Sequence, residues 1–153
     1  MKKYFTISIL VLTVFFLSNG CGQDESGKNK IVNPNGDSEL ALLMRDMFDD
    51  GMVYKAEMLE GKNPDVHVKY KNIHTASATQ PEKVATTEYQ LFAKAYENAM
   101  DQLAASTPAD RVMTYQTVVQ TCMNCHQKMC TGPMVKIKKM VLSENDLEKL
   151  SAN

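Results

Sequence analysis

The pentapeptide Cys122-Met123-Asn124-Cys125-His126 constrains this chain more than any other stretch. It has the form C-x-x-C-H, the pattern by which a c-type haem is attached. Two thiols add across the two vinyl groups of one porphyrin, so they must stand a fixed distance apart on one side of the chain. The adjacent imidazole then reaches the iron as an axial ligand. On a helix, Cys122 and Cys125 are i and i+3, and Cys122 and His126 are i and i+4, so all three share one face. Two other chemistries use the same residue types. A thioredoxin-like disulfide pair sits at a helix N-terminus after a strand, whereas this pair lies well inside a helical pattern. A zinc site would recruit Cys130 as fourth ligand, but Cys125 and His126 are sequence neighbours, poorly placed to hold one tetrahedral ion together.

The first residues read as an export signal. Lys2 and Lys3 form a basic start, and Tyr4 to Leu17 is an apolar run of 14 residues, short for a bilayer span. Ser18-Asn19-Gly20 and then Cys21 follow, which resembles a bacterial lipoprotein signal. The expectation is a cleaved leader, residues 1–20, with lipidation of Cys21. Ordinary secretion is the alternative, because Ser18-x-Gly20 also suits small-x-small cleavage. Loss of Lys2 and Lys3 from 17 basic and 18 acidic residues leaves 15 against 18. That balance excludes a strong nucleic-acid binder. Of four cysteines, Cys130 is the one with no role in either pattern, and no disulfide framework is indicated.

Residues 21–37 are polar and turn-rich and read as a flexible tether. Ser38 caps a helix predicted to run to about Glu60, with the apolar stripe Leu40, Leu43, Met44, Met47, Gly51, Tyr54 and Met58. Gly51 on that stripe points to something bulky approaching there. Residues 61–82, punctuated by Gly61, Pro64 and Pro81, read as a loop with a short irregular helix. They contain His67 and His74, for which solvated or hydrogen-bonded roles are expected before ligation. A further helix is predicted from about Glu82 to Ala105. Thr107, Pro108 and Asp110 then start the next, which runs to about Cys130 with Val112, Tyr115, Val119, Cys122, His126 and Met129 on one side. The short connection makes these two an antiparallel hairpin. Gly132-Pro133 ends the second. Residues 132–153 are an extension in which Lys136, Lys138 and Lys139 interleave with apolar residues, and Ser143 with Asp146 caps a terminal helix. The lysines, or Arg45, are candidates to pair with haem propionates or an acidic partner; a solvated segment is the plainer reading.

Two stretches carry a resemblance. Tyr115 through His126 holds the haem motif on the last long helix, and Leu43-Met44-Arg45-Asp46 with Glu60-Gly61-Lys62 frames the first. Over about residues 38–130 the chain resembles the class II cytochromes, the cytochrome c-prime family, rather than small cytochromes with the motif near the N-terminus. The chain departs from the family in its weak second helix, its length beyond the haem helix and Cys130. The resemblance implies an all-α fold, an antiparallel four-helix bundle over residues 38–131, with one haem c held by Cys122, Cys125 and His126. High-spin members of the family leave the far side of the iron open and bind gases such as nitric oxide. Low-spin members place a methionine of the first helix there and are taken as electron carriers. Met44 falls at that place, sixteen residues before Glu60, and Met47 is the second choice. A thioether is a soft, neutral ligand that favours a raised potential. Yet with 11 methionines in the chain, core filling is the commoner use.

The expectation is thus a lipid-anchored, one-haem electron carrier in a bacterial envelope, facing the periplasm, with a redox partner protein. Whether it forms a homodimer is left open. The first rival is a five-coordinate haem protein that binds a diatomic gas; the second is a non-haem metal lipoprotein using Cys122, Cys125, His126 and Cys130. No nucleophile–base pair stands out, so no enzyme acting on an organic substrate is expected.

Overall fold

The computed structural model describes residues 36–152, and every regular element among them is helical. The expectations for the leader, for Cys21 and for most of the tether lie outside the described residues. In chain order come α1 (Glu39–Leu59), a 3-10 helix (Val68–His74), α2 (Pro81–Val84), α3 (Thr87–Ala104) and α4 (Arg111–Met129). Then follow α5 (Met134–Ile137), a second 3-10 helix (Lys138–Met140) and α6 (Glu144–Ala152).

Local chemistry sets most of these boundaries. Ser38 Oγ accepts from the Ala41 amide at 3.2 Å, satisfying one orphan donor at the start of α1. At the other end Gly61 takes φ +74°, which glycine adopts without Cβ strain. The Gly61 amide then donates to the Met58 carbonyl and that of Lys62 to the Glu57 carbonyl, each at 2.9 Å, closing a Schellman turn. The helix expected from Glu82 to Ala105 is split instead. Thr86 interrupts it and caps α3, its Oγ1 accepting from the Tyr89 amide at 3.2 Å. Thr107 also differs from expectation. Its hydroxyl and amide both donate to Asp110 Oδ1, at 2.8 and 2.6 Å, so the Asp110 carboxylate closes the turn before the helix and caps no helix amide, and the regular part of α4 begins at Arg111.

Three long helices carry the core. Where the resemblance implies a fourth, a seven-residue 3-10 helix packs between α1 and α3. Pro64 and Pro81 bracket this segment, and proline cannot continue a helical hydrogen-bond ladder. Tyr70 and Ile73 of the 3-10 helix are nonetheless 3 and 4 % exposed and fill the place of the missing helix. α3 and α4 form the closest-packed pair, as their six-residue connection requires. Ala93 and Ala99 of α3 are both buried.

Residues 132–153 belong to the same core. Ile137, Met140 and Leu142 are buried with the bundle residues. The bulky group at Gly51 is Met140: a Cβ placed on Gly51 would overlap Met140 Cε. Tyr115, wholly buried, lies under this junction. Its Oη stands 2.9 Å from the Met140 carbonyl oxygen and 3.1 Å from that of Gly51, so one hydroxyl joins α4, α1 and the tail. Lys55 Nζ donates to the Val141 carbonyl at 2.8 Å and pairs with Asp146 at 2.9 Å.

Ser143 and Asp146 complete the expected capping box. The Ser143 amide donates to Asp146 Oδ2 at 2.9 Å, and the Asp146 amide to Ser143 Oγ at 3.2 Å. The Ser143 amide, with Lys55 and the Ser143 hydroxyl, depresses the Asp146 carboxyl to about 2, against an ordinary 3.8. A depressed carboxyl contributes stability that is present above its unfolded value and is lost as pH falls through the folded one. The docking of the tail should therefore weaken between about pH 4 and pH 2. In urea titrations the gap between the parent and Asp146→Asn should narrow over that interval; a gap independent of pH would remove this role from Asp146.

Candidate functional site

The motif occupies the last two turns of α4, and the helix changes character on reaching it. Thr114, Tyr115, Val118 and Val119 are buried, whereas Cys122, Cys125 and His126 are half-buried. α1 buries Leu43, Gly51, Tyr54 and Met58, while Met44, Met47, Phe48 and Met52 are half-buried against the core.

Arg111 Nη1 donates to the Lys62 carbonyl at 3.5 Å and Tyr115 Oη lies 3.1 Å from that of Gly51, so the first turns of α4 reach the second half of α1 and the turn after it. Met44 is seven residues before Gly51 and Met47 four before it, in the half of α1 away from that turn.

The hairpin packs α3 against α4, and Tyr89 and Tyr96 of α3 are buried, each 5 % exposed. Burial raises the Cys122 thiol to about 12 and, reinforced by its neighbours, the Cys125 thiol to about 11. Both therefore stay protonated at neutral pH, and no disulfide links them. A reactive dithiol instead has a lowered thiol value, typically at a helix N-terminus, and this pair sits at the opposite helix end.

His126 is held by main chain. Its Nδ1 lies 2.9 Å from the Cys130 carbonyl oxygen. A carbonyl only accepts, so Nδ1 carries the proton and Nε2 keeps its lone pair. Burial lowers the imidazole's proton affinity, with the carbonyl opposing it in part, so the ring is neutral near pH 7. The acceptor exists because α4 stops at Met129 and Cys130 turns extended, with φ −161° and ψ 91°.

The remaining candidates fall elsewhere. Arg45 pairs with Asp37 at 2.7 Å and also donates to the Gly36 carbonyl, which ties down the last two residues of the expected tether. Lys136, Lys138 and Lys139 are exposed. His67 is exposed, and its amide donates to Tyr54 Oη. His74 sits between Gln90 and Glu97, 3.3 Å from each, on the outer side of α3. Among the described residues no three His, Cys, Asp or Glu side chains are grouped to hold a metal ion. A zinc site needs such convergence of Cys122, Cys125, His126 and Cys130. Haem attachment does not, because the thiols bind the porphyrin rim and the imidazole alone meets iron.

No family model, curated protein or solved structure matches this chain.

Proposed function

We propose that this protein is a single-haem c-type cytochrome that carries one electron at a time, anchored to a bacterial envelope membrane through lipid on Cys21. The observation that carries the reading is the state of His126. It is a neutral ring with Nδ1–H tied to the Cys130 carbonyl and Nε2 available, on the helix that carries both half-buried thiols. A ligating histidine characteristically donates its other N–H in this way, which fixes the tautomer and the ring plane. The incompletely covered apolar residues Met44, Met47 and Phe48 of α1 are also of the kind that a large planar apolar group would cover. The likeness of Tyr115–His126 to the haem helix of class II cytochromes adds to this.

Haem, when bound, supplies an iron that cycles between two oxidation states. The chain does the rest. Cys122 and Cys125 would fasten the porphyrin through thioethers, His126 Nε2 would ligate the iron, and Met44 would add a thioether ligand of the kind that raises the potential. Tyr89, Tyr96 and Tyr115, all buried, keep water from the core around them. Unlike a four-helix bundle with equal sides, this one would use the 3-10 helix as its shortest wall.

The decisive experiment is production of the full chain in cells that carry a haem-attachment system. The expected product is coloured, gains the mass of one porphyrin and changes spectrum on reduction. A colourless chain of unmodified mass overturns the reading. A coloured chain whose reduced form binds carbon monoxide rapidly at neutral pH keeps the haem but replaces electron transfer with gas binding.

A further inference from the structure

Tyr70 and Asp101 make the shortest neutral-to-charged contact of the core. Tyr70 Oη donates to Asp101 Oδ1 at 2.6 Å, within the range of charge-assisted O–H···O⁻ bonds. The phenol ring is buried, at 3 % exposure, while the Asp101 side chain is 48 % exposed. The ring of Tyr96 meets that of Tyr70 edge-on, with centroids 6.4 Å apart and planes at 80°. Tyr96 is itself buried, at 5 % exposure. Two aromatic rings therefore lead from the core of the bundle to a carboxylate at the surface.

We propose that Tyr70 is a redox-active tyrosine, with Asp101 as its proton acceptor and the Tyr96 ring as the relay between it and the interior of the bundle. The oxidant it answers is a strong one-electron oxidant, such as the species peroxide generates at a porphyrin iron. One electron leaves the Tyr70 ring for that oxidant, which is reduced by one unit. The proton on Tyr70 Oη moves to Asp101 Oδ1, leaving a neutral phenoxyl radical and a neutral carboxylic acid. A later one-electron reductant restores both, and the proton returns. Losing an electron makes the phenol strongly acidic, so even a stabilised carboxylate takes the proton. A positioned base of this kind is worth factors of about 100 or more in proton transfer. Burial keeps the radical from side reactions, and the half-exposed carboxylate lets solvent relax around the change. Lys71 opposes the step. Its Nζ is 5.9 Å from the Tyr70 ring centroid and 3.7 Å from Asp101 Oδ1, and its charge disfavours a hole there.

The relay rests on the haem reading, but the phenol–carboxylate pair does not, and the test separates them. In the first arm the full chain without haem is photo-oxidised by a ruthenium(III) polypyridyl complex and read by electron paramagnetic resonance. A neutral tyrosyl signal is expected. It should be lost in Tyr70→Phe and kept in Tyr89→Phe. Asp101→Asn should slow its formation by about tenfold or more, and Lys71→Gln should raise its yield. A signal unchanged in Tyr70→Phe, or a rate unchanged in Asp101→Asn, overturns the proposal. In the second arm the haem-loaded chain meets peroxide. The same signal should appear and should weaken in Tyr96→Phe only if the ring edge changes; replacement of Tyr96 by leucine should abolish it. Persistence of the signal with leucine removes Tyr96 from the path. A chain that takes up no haem fails the earlier reading while leaving the first arm intact.

Discussion

A chain ended at Gly132 should lose most of its cooperative stability. The deletion removes Ile137, Met140 and Leu142, all buried. Burying a side chain of this size contributes about 1.5–3 kcal/mol. The three together therefore supply about 5–8 kcal/mol as an upper figure. Net domain stability is only about 5–15 kcal/mol, so a loss of this size reaches the whole of it. The cut also strips Tyr115 of its Met140 acceptor and Lys55 of its Val141 and Asp146 partners. Some of this is offset by the entropy returned to the freed tail, which leaves the sign unchanged. Urea unfolding followed by circular dichroism should show a broad, early transition for the shortened chain. A midpoint within error of the parent's would mean that the tail merely rests on a bundle able to stand without it.

In the haem-loaded protein, replacing Met44 with alanine should convert the iron from mainly low spin to mainly high spin. By the resemblance to class II cytochromes, Met44 falls where low-spin members carry their ligating methionine, and its half-buried thioether is the soft neutral donor that favours reduced iron. Alanine carries no donor, so the iron loses one strong-field ligand and gains an open position. The reduced variant should bind carbon monoxide where the parent resists it, and its potential should fall. Met47→Ala, at a half-buried neighbour, should leave the spectrum as it was. A Met44→Ala spectrum identical with the parent's would strike Met44 from the site, and a Met47→Ala change would put that residue in its place.

What could be read in advance was local. The Ser38 cap, the Gly61 turn, the Ser143–Asp146 box and the stripes of α1 and α4 each need only a few adjacent residues, and each formed as expected. The break at Thr86 was missed because a threonine inside a helical pattern is tolerated until its hydroxyl finds a free amide. Thr107 and Asp110 both offer oxygens, and composition does not say which of them accepts. The tail's return across α1 is a contact between residues 51 and 140, and no pattern in either stretch names its partner. For the site, the motif was legible as a spacing. The burial of Tyr89 and Tyr96, and the carbonyl under His126, depend on how α3 lies against α4 and on where α4 stops.

That carbonyl has a consequence for how the sequence can vary. Because the imidazole leans on peptide oxygen, its alignment depends on the backbone at position 130 and not on a side-chain atom there. Proline is the exception, since it cannot take φ −161° and has no amide to bond to the His126 carbonyl. Ring orientation is inherited from a change of backbone direction, and it would be altered by insertions or deletions between 127 and 133 more than by any other point replacement.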